Sequence, residues 1–134
     1  MEKATEIGLN GFIFLRTGRT ERAHVNTERL RKVALAAIKQ SGQPFLPALE
    51  EGKPGPELWQ QFTQLVLTDT GEKTTAVWKR KPEGKTLLLI GPEGDFTPEE
   101  KTAIRQAGAA ALSLGPRILR TETAGLYTLF LAHQ

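Results

Sequence analysis

Two arginines enclose two aliphatic residues directly after the turn dipeptide Gly115-Pro116, in the order Arg117, Ile118, Leu119, Arg120. A guanidinium suits phosphate groups, whereas leaving Ile118 and Leu119 in water would forgo about 1.5 to 3 kcal/mol each relative to burial. We therefore expect both to be covered by a ligand, by another loop or by a second subunit, and we favour the wall of a ligand pocket. Arg117 and Arg120 would then project to the rim of that pocket.

A second loop, residues 91–96 (GPEGDF), has a backbone suited to close contact with a ligand. Glycine permits close approach and positive φ, while proline fixes φ and removes a hydrogen-bond donor. A loop that begins with Gly91-Pro92 is therefore stiff and presents its backbone groups at a defined angle. By itself, however, GPEG is also typical of an ordinary turn.

The elements that must position these loops alternate between helices and strands. Periodicity and punctuation predict helices over residues 1–7, 26–41, 57–64, 97–107 and 121–134, and strands over residues 11–15, 65–68, 86–90 and 111–114. Asn26 is a good N-cap, and Thr97 with Glu100 can form a capping box. Residues 43–56 contain four prolines, which predicts an irregular segment.

This alternation is typical of an α/β fold with a parallel sheet flanked by helices. The uncharged strand 86–90 is predicted to be central in the sheet. In such sheets the ligand lies outside the carboxyl ends of the strands, which is where loops 91–96 and 115–120 follow their strands. The last helix carries no charge over residues 123–132, so it should be buried nearly all round, within the monomer or against a second copy.

Composition excludes several classes of function. With 134 residues the chain is expected to form one domain. It has no cysteine and two histidines, His24 and His133, which excludes disulfides and thiolate metal sites and argues against zinc. The charged N-terminus lacks the apolar core of a signal peptide, and no apolar run approaches the roughly 20 residues of a membrane helix. We expect a cytoplasmic protein with no metal and no membrane contact.

A basic stretch marks a candidate nucleic-acid surface. Residues 16–32 contain six basic and two acidic side chains, whereas the whole chain has a net charge of +3. His24 adds to the positive charge when protonated. The stretch is either a solvated loop and helix face or a contact with nucleic acid, and the residues alone leave both open.

Two long motifs carry a resemblance to a known family. The run LLLIGPEGDFTPEE (residues 87–100), together with SLGPRILRTETAG (residues 113–125), resembles the ribosomal RNA small subunit methyltransferase E family, and weaker matches at residues 2–8, 21–22 and 29–47 extend it over nearly the whole chain. The resemblance implies methylation of N3 of a uridine in 16S ribosomal RNA with S-adenosylmethionine. It also implies a SPOUT-type fold, whose parallel sheet is flanked by helices and whose C-terminal part forms a trefoil knot. The implied active unit is a homodimer through the C-terminal helix and the knot.

Carried over residue by residue, the resemblance places the cofactor in the knot. The implied cofactor-binding residues are Leu89, Ile90, Gly91, Pro92, Gly94, Leu112, Ser113, Leu114, Gly115, Ile118, Leu119, Arg120, Thr123 and Ala124. In this interpretation Ile118 and Leu119 wall the adenosyl site, and Gly115 admits it closely. Because a sulfonium is already an activated methyl donor, the protein needs to align the reactants and manage one proton, without a metal.

Three charged residues are candidates for the chemistry at uridine N3, which must lose a proton. We hypothesise that Arg120 stabilises the uracil anion or clamps a phosphate, and that Glu122 or Glu93 accepts the proton or orients a partner. Glu122 has an alternative role as a first-turn residue that complements the helix dipole, and Glu93 as a residue that holds its own loop. The implied RNA-binding residues are Arg16, Arg19, Arg22, Arg29 and Arg117.

The chain departs from the family pattern at two points. The family commonly has glycine where this chain has Asp95. Family members also begin with a PUA-like β-barrel and a strand, whereas residues 1–134 begin within the following helix, so we expect a SPOUT methyltransferase domain alone, with reduced RNA affinity. Two alternatives stay open: a non-catalytic RNA-binding or dimerisation module built on the knotted scaffold, and a SPOUT methyltransferase that acts on a ribose 2′-oxygen.

Overall fold

The computed structural model describes residues 1–20, 24–69, 78 and 83–134. Its helices are α1 (Glu2–Ile7), α2 (Thr27–Ser41), α3 (Pro56–Trp59), α4 (Pro98–Gln106) and α5 (Thr121–Ala132). Its strands are β1 (Gly11–Leu15), β2 (Ala48–Gly52), β3 (Gln64–Thr68), β4 (Thr86–Leu89) and β5 (Ala110–Leu112). No helix within these ranges is long and apolar enough to cross a membrane.

Every strand pair in the described part of the chain is parallel, which confirms the predicted α/β class. β1 pairs with β2, and β3 lies between β4 and β5. In the three-stranded sheet, Leu65 lies opposite Leu87, and Leu67 lies opposite Ala111. The strands thus form two parallel sheets instead of the one sheet that was expected from the alternation.

The prediction that residues 43–56 are irregular is wrong, because β2 lies within them. Ala48–Gly52 contains no proline and stands between Pro47 and Pro54. It pairs in parallel with the whole of β1. The prolines therefore bound this strand without interrupting its hydrogen bonds, which is a position that proline tolerates.

The uncharged strand β4 lies at an edge of the described three-stranded sheet, and the prediction that it is central is wrong. The central strand is β3, in which Val66 and Leu67 have no exposed surface. A strand covered on both faces is apolar wherever it stands in the sheet. Apolarity therefore predicted the burial of Leu89, which is 1% exposed, but not the lateral position of its strand.

Helix α3 is shorter than the helix predicted over residues 57–64. It ends at Trp59, which is buried in the core. The chain then turns into β3, because the backbone N–H groups of Thr63 and Gln64 both donate to the carbonyl oxygen of Lys85. Pairing with the segment before β4 overrides the helical pattern here.

Cap contacts confirm where the two longer internal helices begin. The side chain of Asn26 accepts the N–H of Arg29 at 3.0 Å at the start of α2. Thr97 and Glu100 form a reciprocal capping box at the start of α4. The capping box fixes the point at which the loop of residues 91–96 ends, so it sets one boundary of the candidate site.

The core joins the three-stranded sheet to α4 and to the loop before it. Its buried members are Leu58, Trp59, Leu65, Leu67, Leu89, Phe96 and Ile104. Phe96 is 2% exposed although it belongs to the loop of residues 91–96. Its ring therefore fixes the end of that loop in the core.

Helix α5 is less buried than its lack of charge predicts. Thr128 and Leu129 are buried, whereas Tyr127 is 44% and Phe130 is 53% exposed. The expectation of burial nearly all round is thus not met within a single chain. Two aromatic rings stay uncovered because the rest of the described chain packs against one face of the helix.

Candidate active site

The loops after β4 and β5 stand at the carboxyl end of the three-stranded sheet, as predicted. We call them the GPEGDF loop (residues 91–96) and the arginine loop (residues 115–120). The hydroxyl of Thr121, the first residue of α5, donates a 2.9 Å hydrogen bond to the carbonyl oxygen of Gly91. The GPEGDF loop is thereby tied to the helix that follows the arginine loop.

The GPEGDF loop is closed by contacts among its own residues. A Cβ on Gly91 would lie 2.6 Å from Oδ1 of Asp95, so a side chain at position 91 would require that carboxylate to move. Asp95 has a φ of 62°, and its Oδ1 accepts the N–H of Phe96 at 2.7 Å. The N–H of Asp95 donates to the carbonyl oxygen of Pro92 at 2.8 Å. Aspartate enters the left-handed region more readily than most residues, which explains how a residue other than glycine can hold this φ.

A buried carboxylate that the sequence did not single out, Asp69, follows the end of β3. Its side chain is 4% exposed and contacts Lys101 at 3.1 Å, and its second oxygen pairs with Arg105. Lys101 Nζ also lies 2.6 Å from Oδ2 of Asp95. Lys101 therefore bridges the central strand of the sheet to the GPEGDF loop.

One weak signal for this network was available in the sequence. Lys101 and Arg105 are four residues apart, so they share one face of α4. Their partner Asp69 is 32 positions from Lys101, and no local pattern connects the two. Sequence reasoning missed the network because it depends on how α4 packs against the end of β3.

The two carboxylates raise the pKa of Lys101. Partial burial acts to lower the pKa of this ammonium group, but its hydrogen bonds to Asp95 and Asp69 and the negative charges of both outweigh that effect. The pKa therefore lies above its ordinary value of 10.5. Lys101 is a permanent cation at neutral pH.

The segment after β1 packs directly on the GPEGDF loop. The guanidinium of Arg19 donates a 2.9 Å hydrogen bond to the carbonyl oxygen of Gly94, and the N–H of Gly18 donates to Oε1 of Glu100 at 2.7 Å. A Cβ on Gly94 would lie 3.3 Å from the Cβ of Arg19. One of the predicted RNA-binding arginines thus contacts the loop predicted to bind the cofactor.

An open, mainly apolar cleft of about 700 Å³ lies between the arginine loop and α5. It is lined by Leu114, Pro116, Arg117, Leu119, Thr123, Leu126 and Tyr127. Its volume is within the range of small-molecule sites, about 300 to 1,000 Å³. Gly115, which stands between two lining residues, has a φ of 101°, and apart from its chain neighbours no described atom lies within 4 Å of the position that its Cβ would take.

The predicted cofactor-binding residues occupy different environments around this cleft. Those that line it are Leu114, Leu119 and Thr123. Those that are buried are Leu89, Leu112 and Ala124. Those at intermediate burial are Ile90, Gly91, Pro92, Ser113 and Gly115, and those that are exposed are Gly94, Ile118 and Arg120. The buried residues hold the loops and the helix in place. The exposed and partly buried residues are the ones that a ligand can contact.

Ile118 does not meet the expectation that it is covered. Its side chain is 90% exposed, whereas Leu119 is partly buried and lines the cleft. Neighbouring side chains of the arginine loop face different directions, so one of the two lies against the cleft and the other faces solvent. Within a single chain, Leu119 therefore forms part of the pocket wall and Ile118 does not.

The three candidates for the chemistry, Arg120, Glu122 and Glu93, are all exposed. Among the described residues their side chains make no hydrogen bond or ion pair. The carbonyl oxygen of Arg120 accepts the N–H of Ala124 at 2.8 Å, which starts α5. Glu122 lies in the first turn of this helix, where a carboxylate complements the helix dipole. All three charged groups are accessible to a ligand.

The other predicted RNA-binding arginines are not gathered at one point. Arg16 is paired with Glu51 of β2 at 2.7 Å, Arg29 is exposed in the first turn of α2, and Arg117 lines the cleft. Arg22 lies outside the described residues. Across the described ranges there is no group of three or more histidine, aspartate or glutamate side chains placed to hold a metal ion.

The parallel sheets, the glycine-containing loops at their carboxyl ends and the apolar cleft define an α/β domain of the kind that binds a small molecule at that edge. The chain belongs to the RNA methyltransferase domain family, because the sequence model of that family matches residues 1–133.

Three relatives illustrate the match. The chain is 32% identical over 146 residues to ribosomal RNA small subunit methyltransferase E of Bacillus subtilis, with 96% of this chain and 57% of the relative covered. The protein of the same name from Mycobacterium bovis is 30% identical over 143 residues, with 96% and 55% covered. A crystal structure of ribosomal RNA small subunit methyltransferase E from Neisseria gonorrhoeae, bound to S-adenosyl methionine, is similar with a TM-score of 0.84 and 26% identity, with 96% and 56% covered. The chain thus spans a little more than half the length of these relatives.

Proposed function

We propose that this chain is the methyltransferase domain of an enzyme that uses S-adenosylmethionine to methylate N3 of a uridine in 16S ribosomal RNA. The observation that carries the proposal is the apolar cleft between the arginine loop and α5, at the same sheet edge as the GPEGDF loop. Support comes from the family match over residues 1–133. Further support is the similar structure from Neisseria gonorrhoeae, which is bound to S-adenosyl methionine.

The residues around the cleft fit this cofactor. Leu114 and Leu119 offer apolar surface suited to the flat face of an adenine, and the hydroxyl of Thr123 adds a polar group to the lining. The open space beside Gly115 leaves room that a side chain would fill. A few polar groups in a mainly apolar lining are typical of small-molecule sites.

The chain's own residues would then align the uridine and manage its charge. The bound cofactor supplies a methyl group that is already activated by the sulfonium. Arg120 stabilises the negative charge on the uracil as N3 loses its proton, or binds a neighbouring phosphate. Glu122 or Glu93 accepts that proton. All three side chains lack partners among the described residues, which leaves them available to the RNA.

We also propose the finer features of the fold that the family pattern implies. Residues 1–134 would form one SPOUT methyltransferase domain, whose C-terminal part is a trefoil knot and whose α5 packs against a second copy. The exposure of Tyr127 and Phe130 supports the homodimer, because a second copy would cover both rings. RNA would be held by Arg16, Arg19, Arg22, Arg29 and Arg117, and a ribosomal RNA substrate would place the protein in the cytoplasm.

The first test is calorimetric titration of the chain with S-adenosylhomocysteine, which needs no RNA. Binding of about one ligand per chain with micromolar affinity, roughly −8 kcal/mol, is expected. A dimer that binds no ligand would favour the non-catalytic module and contradict the proposal.

The second test identifies the reaction. The chain is incubated with 16S ribosomal RNA and labelled S-adenosylmethionine, and the RNA is digested to nucleosides. N3-methyluridine is the expected product, whereas a 2′-O-methyl nucleoside would assign the chain to the ribose-modifying alternative. An Arg120→Ala variant that retained full turnover with unchanged cofactor affinity would remove Arg120 from the chemistry.

A further inference from the structure

The contacts of Lys101 serve no step of the proposed reaction, yet they reach the candidate cofactor site. We propose that Lys101 is a positioning residue, which holds the GPEGDF loop in its ligand-binding shape by tying Asp95 to the buried carboxylate of Asp69. This inference rests on the proposed function, because it takes the GPEGDF loop as part of the cofactor site.

Asp69 is a fixed anchor for such a tie. Its side chain is 4% exposed, and its own N–H donates to the carbonyl oxygen of Leu112 at 3.1 Å, at the end of the central strand. Arg105 pairs with the carboxylate oxygen that Lys101 does not contact. The position of Asp69 is therefore set by the sheet and by a second cation as well as by Lys101.

Lys101 is held in the geometry of a bridge. Its side chain is 17% exposed and contacts Asp69 at 3.1 Å on one side and Asp95 at 2.6 Å on the other. Lys101 directly follows Glu100 of the capping box and so lies near the N-terminus of α4, where the helix dipole disfavours a cation. Its two carboxylate partners offset this unfavourable interaction with the helix dipole.

Asp95 carries the constraint onward to the cleft. One oxygen of its carboxylate pairs with Lys101, and the other accepts the N–H of Phe96 at 2.7 Å. The same second oxygen lies 2.6 Å from the Cβ position on Gly91, whose carbonyl oxygen accepts the hydroxyl of Thr121 at the start of α5. The Asp95 carboxylate thus lies beside Gly91, which is itself tied to the start of the helix that lines the cleft.

The bridge depends on the carboxylate at position 95. Glycine at position 95 would adopt a φ of 62° without strain, but it has no carboxylate to offer Lys101. Aspartate at this position introduces both the strained backbone and the group that Lys101 holds. The ion pair therefore stabilises a conformation that glycine would adopt unaided.

Amide hydrogen exchange of the ligand-free chain tests the tie directly. In Lys101→Met, peptides that cover residues 91–97 are expected to exchange about tenfold faster than in the wild type, the effect of losing one charge-assisted hydrogen bond. Peptides that cover β3 serve as an internal reference. In Lys101→Arg, which keeps the charge, the rate is expected to return to within about threefold of the wild type.

Titration with S-adenosylhomocysteine then tests the consequence for binding. Lys101→Met is expected to weaken binding about tenfold, and combining it with Asp95→Asn should add little, because both changes break the same contact. Lys53→Met is the matched control, since it removes an exposed ammonium group that makes no contact with Asp69 or Asp95 among the described residues, and its affinity should stay within about twofold of the wild type.

The possible outcomes separate the two proposals. Unchanged exchange of residues 91–97 in Lys101→Met would overturn the positioning role, and so would an equal loss of affinity in Lys53→Met. A wild-type chain that binds no S-adenosylhomocysteine would contradict the proposed function, while the exchange comparison would still decide whether Lys101 holds the loop.

Discussion

The guanidinium of Arg19 donates a 2.9 Å hydrogen bond to the carbonyl oxygen of Gly94. The sequence predicts Arg19 as an RNA-binding residue, and Gly94 belongs to the loop predicted to bind the cofactor. An arginine that contacts both an RNA phosphate and this loop would link the affinity for RNA to the affinity for the cofactor.

Arg19→Ala is therefore expected to weaken the binding of S-adenosylhomocysteine about threefold even without RNA, because it removes one exposed hydrogen bond of about 0.5 to 1.5 kcal/mol. Calorimetric titration measures the change. Arg16→Ala is the matched control, since Arg16 pairs with Glu51 of β2 and should leave cofactor affinity unchanged. Equal effects of the two substitutions would show that the contact with Gly94 has no role in binding.

Gly91→Ala is expected to destabilise the chain by about 1 to 3 kcal/mol, the usual effect of overpacking. The new Cβ would lie 2.6 Å from Oδ1 of Asp95. The unfolding free energy from urea denaturation measures the change. Adding Asp95→Gly should recover much of the loss, because it removes the atom that is nearest to the new methyl group.

Gly125→Ala provides the control for this experiment. Gly125 lies within α5, and outside the helix's own backbone and its chain neighbours no described atom stands within 4 Å of the position of its Cβ. The substitution should raise stability by about 0.5 to 1 kcal/mol, because alanine favours the helix. If Gly91→Ala were as well tolerated as Gly125→Ala, the close packing at Gly91 would not be a property of the protein in solution.

Glu100→Ala is expected to be more destabilising than Thr97→Ala. The carboxylate of Glu100 accepts the N–H of Thr97 at 2.8 Å and the N–H of Gly18 at 2.7 Å, so its loss removes two charge-assisted hydrogen bonds, each of about 1.5 to 3 kcal/mol. Loss of the Thr97 cap alone should amount to about 1 kcal/mol. Urea denaturation measures the unfolding free energy of both variants, with Glu99→Ala as the control at an exposed position. A larger loss in Thr97→Ala than in Glu100→Ala would indicate that Gly18 is not held by Glu100.

The raised pKa of Lys101 predicts how its contribution to stability depends on pH. A group whose pKa is higher in the folded than in the unfolded state stabilises the fold below its unfolded value, and this contribution is lost as the pH rises through the folded pKa. Because the ordinary pKa is 10.5, the difference in unfolding free energy between the wild type and Lys101→Met should be constant at neutral pH and decrease above that value. A difference that disappeared near neutral pH would contradict the assignment.

Local signals predicted much of the fold. Asn26, the capping box of Thr97 and Glu100, and the apolar strands located most helices and strands to within a few residues, because caps and periodicity act over short distances. Strand β2 was missed because its flanking prolines obscured it. The edge position of β4 was missed because the burial of a strand's faces says nothing about its neighbours.

The contacts of the candidate site are likewise of two kinds: those between residues near each other in the sequence, which local signals can predict, and those between distant residues, which they cannot. Leu119 and Thr123 line one cleft because the loop and the helix that carry them are adjacent in the sequence, and a local motif can bring such residues together. The contacts of Asp69 with Lys101 and of Arg19 with Gly94 join residues 32 and 75 positions apart. Such pairs follow from tertiary packing, and no spacing in a single sequence reveals them.

The contact between Gly91 and Asp95 restricts the order in which substitutions can accumulate in this loop. While position 95 carries a carboxylate in the left-handed conformation, any side chain at position 91 meets it at 2.6 Å. A larger residue at position 91 is therefore easier to accommodate when position 95 carries glycine than when it carries aspartate. Lys101 opposes that exchange, because glycine at position 95 would leave it with one carboxylate partner in place of two.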